Sequence, residues 1–273
     1  LGDPPLFMMY LRGAPFTWFF NLAHEWFVAN ALLLIIYYFV DVYYHKKEPA
    51  SAIFRDETNI RPIKIQGKRN FIFLVGVVLA VAFVNEQYFS FININPYFKF
   101  VREAAIFLMA YLSMQFTPKL LRTSNNFTWG PIEEVAYLFL GIFVTMVPAL
   151  LYLEVNAKNL GVQSVNQFYY YTGLLSSFLD NTPTAVTFHS LALGLGINTG
   201  NLVAGIPEVL LKAISTGAVF FGAMTYIGNG PNFMVKAVAE ENNIKMPHFF
   251  AYMFKFSLIV LLPIFILIQL LFI

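Results

Sequence analysis

One short stretch combines a carboxylate, an amide, hydroxyl groups and a proline inside an apolar run that extends from Phe168 to Leu195. Its residues are Asp180, Asn181, Thr182, Pro183 and Thr184. A carboxylate in hydrocarbon costs about 2.5–3.5 kcal/mol on insertion scales, so a membrane chain seldom carries one without a use. Pro183 favours the first turn of a helix, and Thr182 or Asp180 is a suitable cap before it. The stretch therefore predicts two half-helices that meet at a turn, with the positive N-terminus of the second directed at the Asp180 side chain.

A helix interruption at membrane depth is tolerated only where it lines a protected or water-filled cavity. Such interruptions form the ion and substrate sites of secondary transporters. The sequence therefore predicts an ion or substrate site at this turn.

The composition places the chain among polytopic membrane proteins. Of its residues, 58% are hydrophobic and 12% are charged, and the mean hydropathy is +0.64. Soluble domains carry about 25% charged residues. The absence of cysteine excludes disulfides and thiolate chemistry, and the net charge of +2 gives no indication of nucleic-acid binding. No nucleotide-binding loop, His/Cys metal cluster or nucleophile elbow occurs, so we expect no enzyme and no cofactor.

Long apolar stretches predict the membrane spans, because about 20 apolar residues cross a bilayer. The predicted spans are residues 21–44, 71–91, 100–116, 131–153, 208–227 and 247–272. The polar segment 45–70 is rich in Lys and Arg, so the positive-inside rule places it in the cytoplasm. Alternating the spans from there places Lys119, Arg122, Lys236 and Lys245 on the same side.

Two spans are predicted to be interrupted. Residues 166–195 are too few for two crossings, which need about 40, so we expect a re-entrant hairpin that enters from outside. The helix over 208–240 is expected to break at a second motif and to resume at Phe233. That motif is Gly228, Asn229, Gly230, Pro231 and Asn232.

An internal repeat relates the start of the chain to the second motif. The segment from Gly2 to Met8 aligns without gaps to the segment from Gly228 to Met234, with Gly, the second Pro, Phe and Met identical. Each copy is followed by one long apolar span, and the two spans end on opposite faces, which is typical of an inverted repeat. The predicted organisation is the tail of a first repeat (1–44), a cytoplasmic loop (45–70) and a second repeat (71–273).

The first copy has no spans or hairpin upstream of it, so we expect the chain to be a C-terminal fragment of a longer transporter. Part of the transport site would then lie outside it. Asp3, in the first copy, is a candidate site residue, with capping of a turn as the alternative role.

The segments Ser176–Thr184 and Tyr226–Asn232 resemble motifs of the ion transporter superfamily. That group includes NhaD-type sodium/proton antiporters, arsenite permeases, and citrate and dicarboxylate carriers, and the nearest variant is labelled both as a citrate transporter and as a sodium:proton antiporter. Carboxylate carriers have Ser-Asn-Thr at the hairpin turn, where this chain has Asp180, Asn181 and Thr182. The resemblance implies an all-α fold with a paired hairpin and broken helix that move as an elevator. It also implies a homodimer, in the bacterial inner membrane.

Two transport functions and one enzymatic function compete. A sodium/proton antiporter needs a carboxylate that binds either cation or proton, and burial would raise the pKa of Asp180 toward neutrality. Asn181 and Asn229 would then join Asp180 as sodium ligands. The alternative is a sodium- or proton-coupled citrate or dicarboxylate carrier, against which the negative charge of Asp180 counts. A membrane-embedded enzyme is disfavoured, because no acid–base–nucleophile set is present.

Overall fold

The computed structural model describes residues 4–58, 65–85, 88–89, 92 and 95–273. Asp3 and Gly2 lie outside the described residues. The described chain is mostly helical and divides into two compact units. One unit contains the chain up to Lys46 together with Leu138–Ile273, and the other contains Lys47–Tyr137.

The first unit holds α1 (Pro4–Leu11), a 3-10 helix (Phe16–Leu22) and α2 (Ala23–His45) from the start of the chain. It continues with the later part of α7 (Gly130–Asn156), a 3-10 turn (Ala157–Leu160), α8 (Val165–Phe178) and α9 (Asn181–Leu195). A two-residue ladder follows, in which β1 (Leu202–Val203) pairs antiparallel with β2 (Ile206–Pro207). The last elements are α10 (Glu208–Phe221), a 3-10 turn (Gly222–Met224), α11 (Gly230–Glu241) and one continuous helical segment. That segment consists of α12 (Phe249–Tyr252), a π-helical stretch (Met253–Leu261) and α13 (Leu262–Phe272).

The core of this unit lies where α8, α9 and α10 pack on one another. Phe168, Tyr169, Leu211 and Ile214 are fully buried there, and the Tyr169 hydroxyl donates to the carbonyl of Phe265 at 2.9 Å. The helix α1 packs on α9 and α10 and buries Met9 completely. By contrast, α11 has no buried residue, although its sequence motif aligns with the start of α1. The inverted-repeat relation between the two copies stays a prediction.

Three helices are long and apolar enough to cross a membrane among the described residues: Phe16–His45, Phe139–Leu160 and Phe249–Phe272. Their surfaces suit lipid, since large apolar side chains such as Leu34, Tyr37 and Phe39 are exposed along α2. The predictions for residues 21–44 and 247–272 agree with two of these helices. The chain is therefore an α-helical membrane protein.

Two predicted spans are shorter than expected. The helix predicted over 71–91 is α4 (Asn70–Phe83), which ends where the Asn85 amide donates to the carbonyl of Ala82 at 3.0 Å. The helix predicted to continue to residue 227 ends at Phe221, because Gly222 begins a 3-10 turn. The second helix interruption therefore begins six residues earlier than its sequence motif.

The second unit contains α3 (Ala50–Thr58), α4, a 3-10 turn (Pro96–Lys99), α5 (Phe100–Phe116), α6 (Lys119–Ser124) and the start of α7. The helices α4 and α5 run antiparallel, because Asn70 meets Thr117 while Gly76 meets Met109. The Asn70 side-chain carbonyl accepts from the hydroxyls of Thr117 at 2.7 Å and Ser113 at 3.1 Å. These bonds fix the register of the pair.

Two glycines allow α8 and α10 to approach closely. A Cβ on Gly217 would lie 2.6 Å from the carbonyl oxygen of Tyr169, and a Cβ on Gly173 would lie 2.6 Å from the Phe221 ring. Small residues at helix contacts in membranes serve this purpose, because packing there depends on close backbone approach.

Gly217→Ala is therefore expected to lower the apparent Tm of the purified protein, since the obstructing atom is backbone and cannot rotate away. Gly141→Ala is the matched control, because Gly141 is exposed on α7 with open space around its Cβ position. That change should raise the Tm slightly, in line with about 0.5–1 kcal/mol gained per exposed helical Gly→Ala. The two shifts are measured by thermal unfolding in detergent, and equal shifts would contradict the packing described.

The predicted cytoplasmic placement of residues 45–70 is testable at Ser51, which is exposed on α3. The chain has no cysteine, so Ser51→Cys introduces a single thiol into it. An impermeant maleimide added to intact cells should leave this thiol unlabelled and should label it after permeabilisation. Ready labelling in intact cells would reverse the topology.

Candidate ion and substrate site

The helices α8 and α9 are joined by a two-residue turn at Leu179 and Asp180. Ser164 and Gln167 form a capping box at the start of α8, and Leu179 is extended with φ −111° and ψ 161°. Asp180 is the N-cap of α9: its carboxylate accepts the Thr182 N–H at 2.8 Å, and its carbonyl accepts the Thr184 hydroxyl at 2.9 Å. The helix begins at Asn181, two residues before the proline that the sequence placed at its start.

The structure corrects one expectation about the turn. Asp180 is exposed in the structure, so its carboxylate is not enclosed in a dry cavity. The N-terminus of α9 is also occupied: Asp180 takes the N–H groups of Thr182 and Thr184, and Pro183 has none. A bound anion would therefore meet few free donors at this helix end.

The buried polar groups begin at the next residue. Asn181 and Thr182 are each 2% exposed, Thr184 is 4% exposed, and Pro183 is half-buried. At the end of α8, Ser176 and Ser177 are buried as well. All of these polar side chains are neutral.

The interruption after α10 is organised by Thr225, which is completely buried. Its hydroxyl donates to the carbonyl of Ser177 on α8 and accepts the N–H groups of Ile227 at 3.3 Å and Gly228 at 3.2 Å. The amide of Asn232 closes the interruption from the other side, donating to the carbonyls of Gly222 at 2.9 Å and Thr225 at 3.2 Å. The interruption is therefore a fixed loop and not a bend within a continuous helix.

The turn and the interruption meet at what we call the hairpin–break junction, formed by Ser176, Ser177 and Asn181 on one side and Gly222, Thr225 and Gly228 on the other. Ser176 donates to the carbonyl of Ala218 at 2.6 Å, and Ser177 donates to that of Phe221 at 3.2 Å. A Cβ on Gly228 would lie 2.6 Å from the Ser176 carbonyl oxygen, and a Cβ on Gly222 would lie 3.6 Å from the Asn181 amide nitrogen. Backbone and neutral side chains are thus in direct contact at the junction.

The structure brings together some predicted site residues and not others. Asn181 and Gly228 are in the junction, and Asn232 holds it from α11. Asn229 is half-buried at the start of α11, where Gly230 and Pro231 are exposed. Gly230 and Pro231 are the first residues of α11, a position that suits proline because its missing N–H would be unpaired there.

The proposed sodium ligands Asp180, Asn181 and Asn229 stay a prediction. No group of three or more His, Cys, Asp or Glu side chains is placed to hold a metal ion in the described part of the chain.

Sequence reasoning missed Thr225 and gave no role to Ser176 and Ser177. The pair of serines directly before the turn was one available signal, because buried hydroxyls in membrane helices need backbone acceptors. For Thr225 the sequence offered only its position three residues before Gly228.

Helices of membrane-spanning length, together with a helix turn and a helix interruption whose polar groups are buried against each other, are features of a membrane carrier. The chain belongs to the family described as "Putative citrate transport", whose model matches residues 1–273. It is therefore a membrane transporter of that family. No curated protein and no solved structure has significant similarity to it.

Proposed function

We propose that the full-length protein carries citrate or a similar carboxylate across the membrane at the hairpin–break junction. The observation that carries this proposal is the neutrality of the buried polar groups in the junction and directly beside it, which are Ser176, Ser177, Asn181, Thr182 and Thr225. A buried carboxylate repels a multiply charged anion, whereas neutral amide and hydroxyl groups do not. The description of the family agrees with this substrate class.

The start of α11 is the helix end best suited to face such an anion. Asn229 is its N-cap and makes no side-chain capping bond, and Gly230 is exposed. The positive end of the helix dipole therefore stays accessible here, whereas Asp180 caps the corresponding end of α9. Sodium beside the substrate carboxylates, with Asn181 and Asn229 among its ligands, is part of the proposal.

Sodium/proton antiport is the second candidate, and Asp180 is the observation that favours it. Its carboxylate lies at the turn, accepts a hydrogen bond from the Thr182 N–H through one oxygen, and is exposed. An accessible carboxylate next to neutral oxygens can bind sodium or a proton in turn. In that mechanism Asp180 itself carries the exchanged ion.

The proposal also includes the architecture that the resemblance implies. The α8–α9 pair would be a re-entrant hairpin, paired with an inverted first repeat and moving as an elevator. The protein would be a homodimer in the bacterial inner membrane.

The two candidates are separated by assays on one preparation of the full-length protein in proteoliposomes. The first candidate predicts counterflow of labelled citrate against internal citrate. Exchange of one citrate for another needs no net movement of the coupling ion. Sodium-induced alkalinisation of a trapped pH dye without citrate counterflow would replace the first candidate by the second. The absence of both activities would refute both candidates.

A further inference from the structure

A buried carboxylate lies in another part of the first unit, away from the hairpin–break junction. Glu25, in the first turn of α2, is 1% exposed, and its Oε1 forms an ion pair with the Nζ of Lys212 on α10. No donor reaches its Oε2 from any of the described residues. A single lysine, itself 26% exposed, therefore compensates an almost completely enclosed carboxylate.

The carboxylate of Glu208, which lies on α10 together with Lys212, is in a different situation. Glu208 lies one turn before Lys212 and accepts hydrogen bonds from Trp18 at 2.7 Å, Asn201 at 2.7 Å and Asn21 at 3.4 Å. Three neutral donors thus satisfy Glu208, and these bonds do not depend on Lys212. None of the described residues offers Glu25 such donors, so its charge depends on one contact.

Among the described residues, the two elements that pack most extensively on α2 supply no other charged group. The 3-10 helix Phe16–Leu22 and the helix Leu262–Phe272 both pack there, and neither sequence contains an ionisable residue. On α10 the ionisable residues are Glu208 and Lys212, and on α2 the neighbour of Glu25 is His24, which is exposed. The balance of charge at Glu25 is therefore set chiefly by Lys212 and, one turn away, by Glu208.

A carboxylate held in this way exchanges a proton more readily than a metal cation. Binding of a proton to Oε2 removes the charge without any further ligand. Sodium would need several oxygen ligands and would lie beside the positive Nζ of Lys212, which repels it. Buried ion pairs also contribute little to stability, so their presence in a membrane protein points to a role.

We propose that Glu25 is the proton-binding site of this carrier and that Lys212 couples it to α10. A proton from the aqueous phase adds to Glu25 Oε2, the ion pair to Lys212 is lost, and α10 is released from α2. Loss of the proton to the opposite phase restores the ion pair. Because α10 leads directly into the hairpin–break junction at Gly222, protonation and substrate binding would act on the same helix. This inference rests on the proposed transport function.

The test uses the full-length protein in proteoliposomes and compares two modes of transport. Glu25→Gln should leave citrate counterflow at equal pH close to the unaltered rate, since counterflow needs no net proton movement. It should reduce citrate accumulation driven by an imposed pH gradient by at least about tenfold, within the 5–150-fold range typical of coupled sites. Glu240→Gln is the matched control, because it also removes a carboxylate from a lysine ion pair, with Lys236, but on the exposed surface of α11. That variant should retain both modes.

Accumulation by Glu25→Gln at the unaltered level would overturn the proposal. If the single variant also loses counterflow, Glu25→Gln combined with Lys212→Gln leaves no unpaired charge and should regain counterflow without accumulation. Failure to regain it would assign the pair a structural role only.

Infrared difference spectra between acidic and alkaline pH provide a readout that is independent of citrate. The carboxylic acid band should lose a component in Glu25→Gln and keep it in Glu240→Gln, and identical spectra would overturn the proposal. A protein that shows this component but carries no citrate would refute the proposed function and leave the proton site standing.

Discussion

Asn181→Asp is expected to abolish high-affinity citrate binding by the full-length protein. The change places a negative charge at a buried position beside Asp180 and within the surface proposed to hold the substrate carboxylates. We expect citrate affinity to fall by at least about 100-fold, which corresponds to about 2.8 kcal/mol. Titration calorimetry on the purified protein measures this.

The matched control for this change is Asn198→Asp, which adds the same charge to an exposed residue shortly after α9. It should bind citrate as the unaltered protein does. Thermal unfolding of both variants separates loss of binding from loss of the fold. Unchanged citrate affinity in a folded Asn181→Asp protein would exclude this residue from the site.

Gly228→Ala is expected to slow transport by at least about tenfold. Misplacement of site groups by about one ångström can slow a reaction by about 100-fold. The new Cβ would lie 2.6 Å from the carbonyl oxygen of Ser176 and 2.7 Å from that of Gly222. Both obstructing atoms are backbone, so the hairpin turn and the interruption must move apart. Initial rates of citrate counterflow measure the effect.

Gly141→Ala, on α7, is the control for this prediction. Nothing lies within 4 Å of a Cβ at that position, and alanine is suited to a helix interior. Transport by this variant should be nearly unaltered. Equal rates in Gly228→Ala and Gly141→Ala would contradict the close contact at the junction.

Much of the helical architecture could be predicted from hydropathy, because long apolar runs have few alternatives in a membrane chain. The helices over 23–45 and 249–272 match their predicted ranges closely. The position of the second interruption could not be predicted, because its cause is tertiary. Thr225 holds the backbone through a bond to the carbonyl of Ser177, nearly fifty residues away in the sequence.

The candidate site was predicted in part, for a related reason. The Asp-Asn-Thr-Pro pattern identified a helix start, and Asp180 caps that helix. The pattern could not indicate which side chain is buried, since adjacent residues at a helix N-terminus point in different directions. Asn181 is enclosed by the interruption and Asp180 is exposed, although the carboxylate is the more conspicuous residue in the sequence.

The central claim is that a carboxylate substrate is held by the neutral groups of the junction and not by Asp180. Asp180→Asn tests it most directly, because Asn caps a helix about as well as Asp and the fold should be kept. Citrate counterflow and sodium-driven proton movement are measured on the same proteoliposomes for the unaltered protein and the variant. We expect citrate counterflow by the variant at the unaltered rate or faster. Sodium/proton exchange in the unaltered protein that disappears in Asp180→Asn, with no citrate counterflow in either, would contradict the claim and establish Asp180 as the carrier of the exchanged ion.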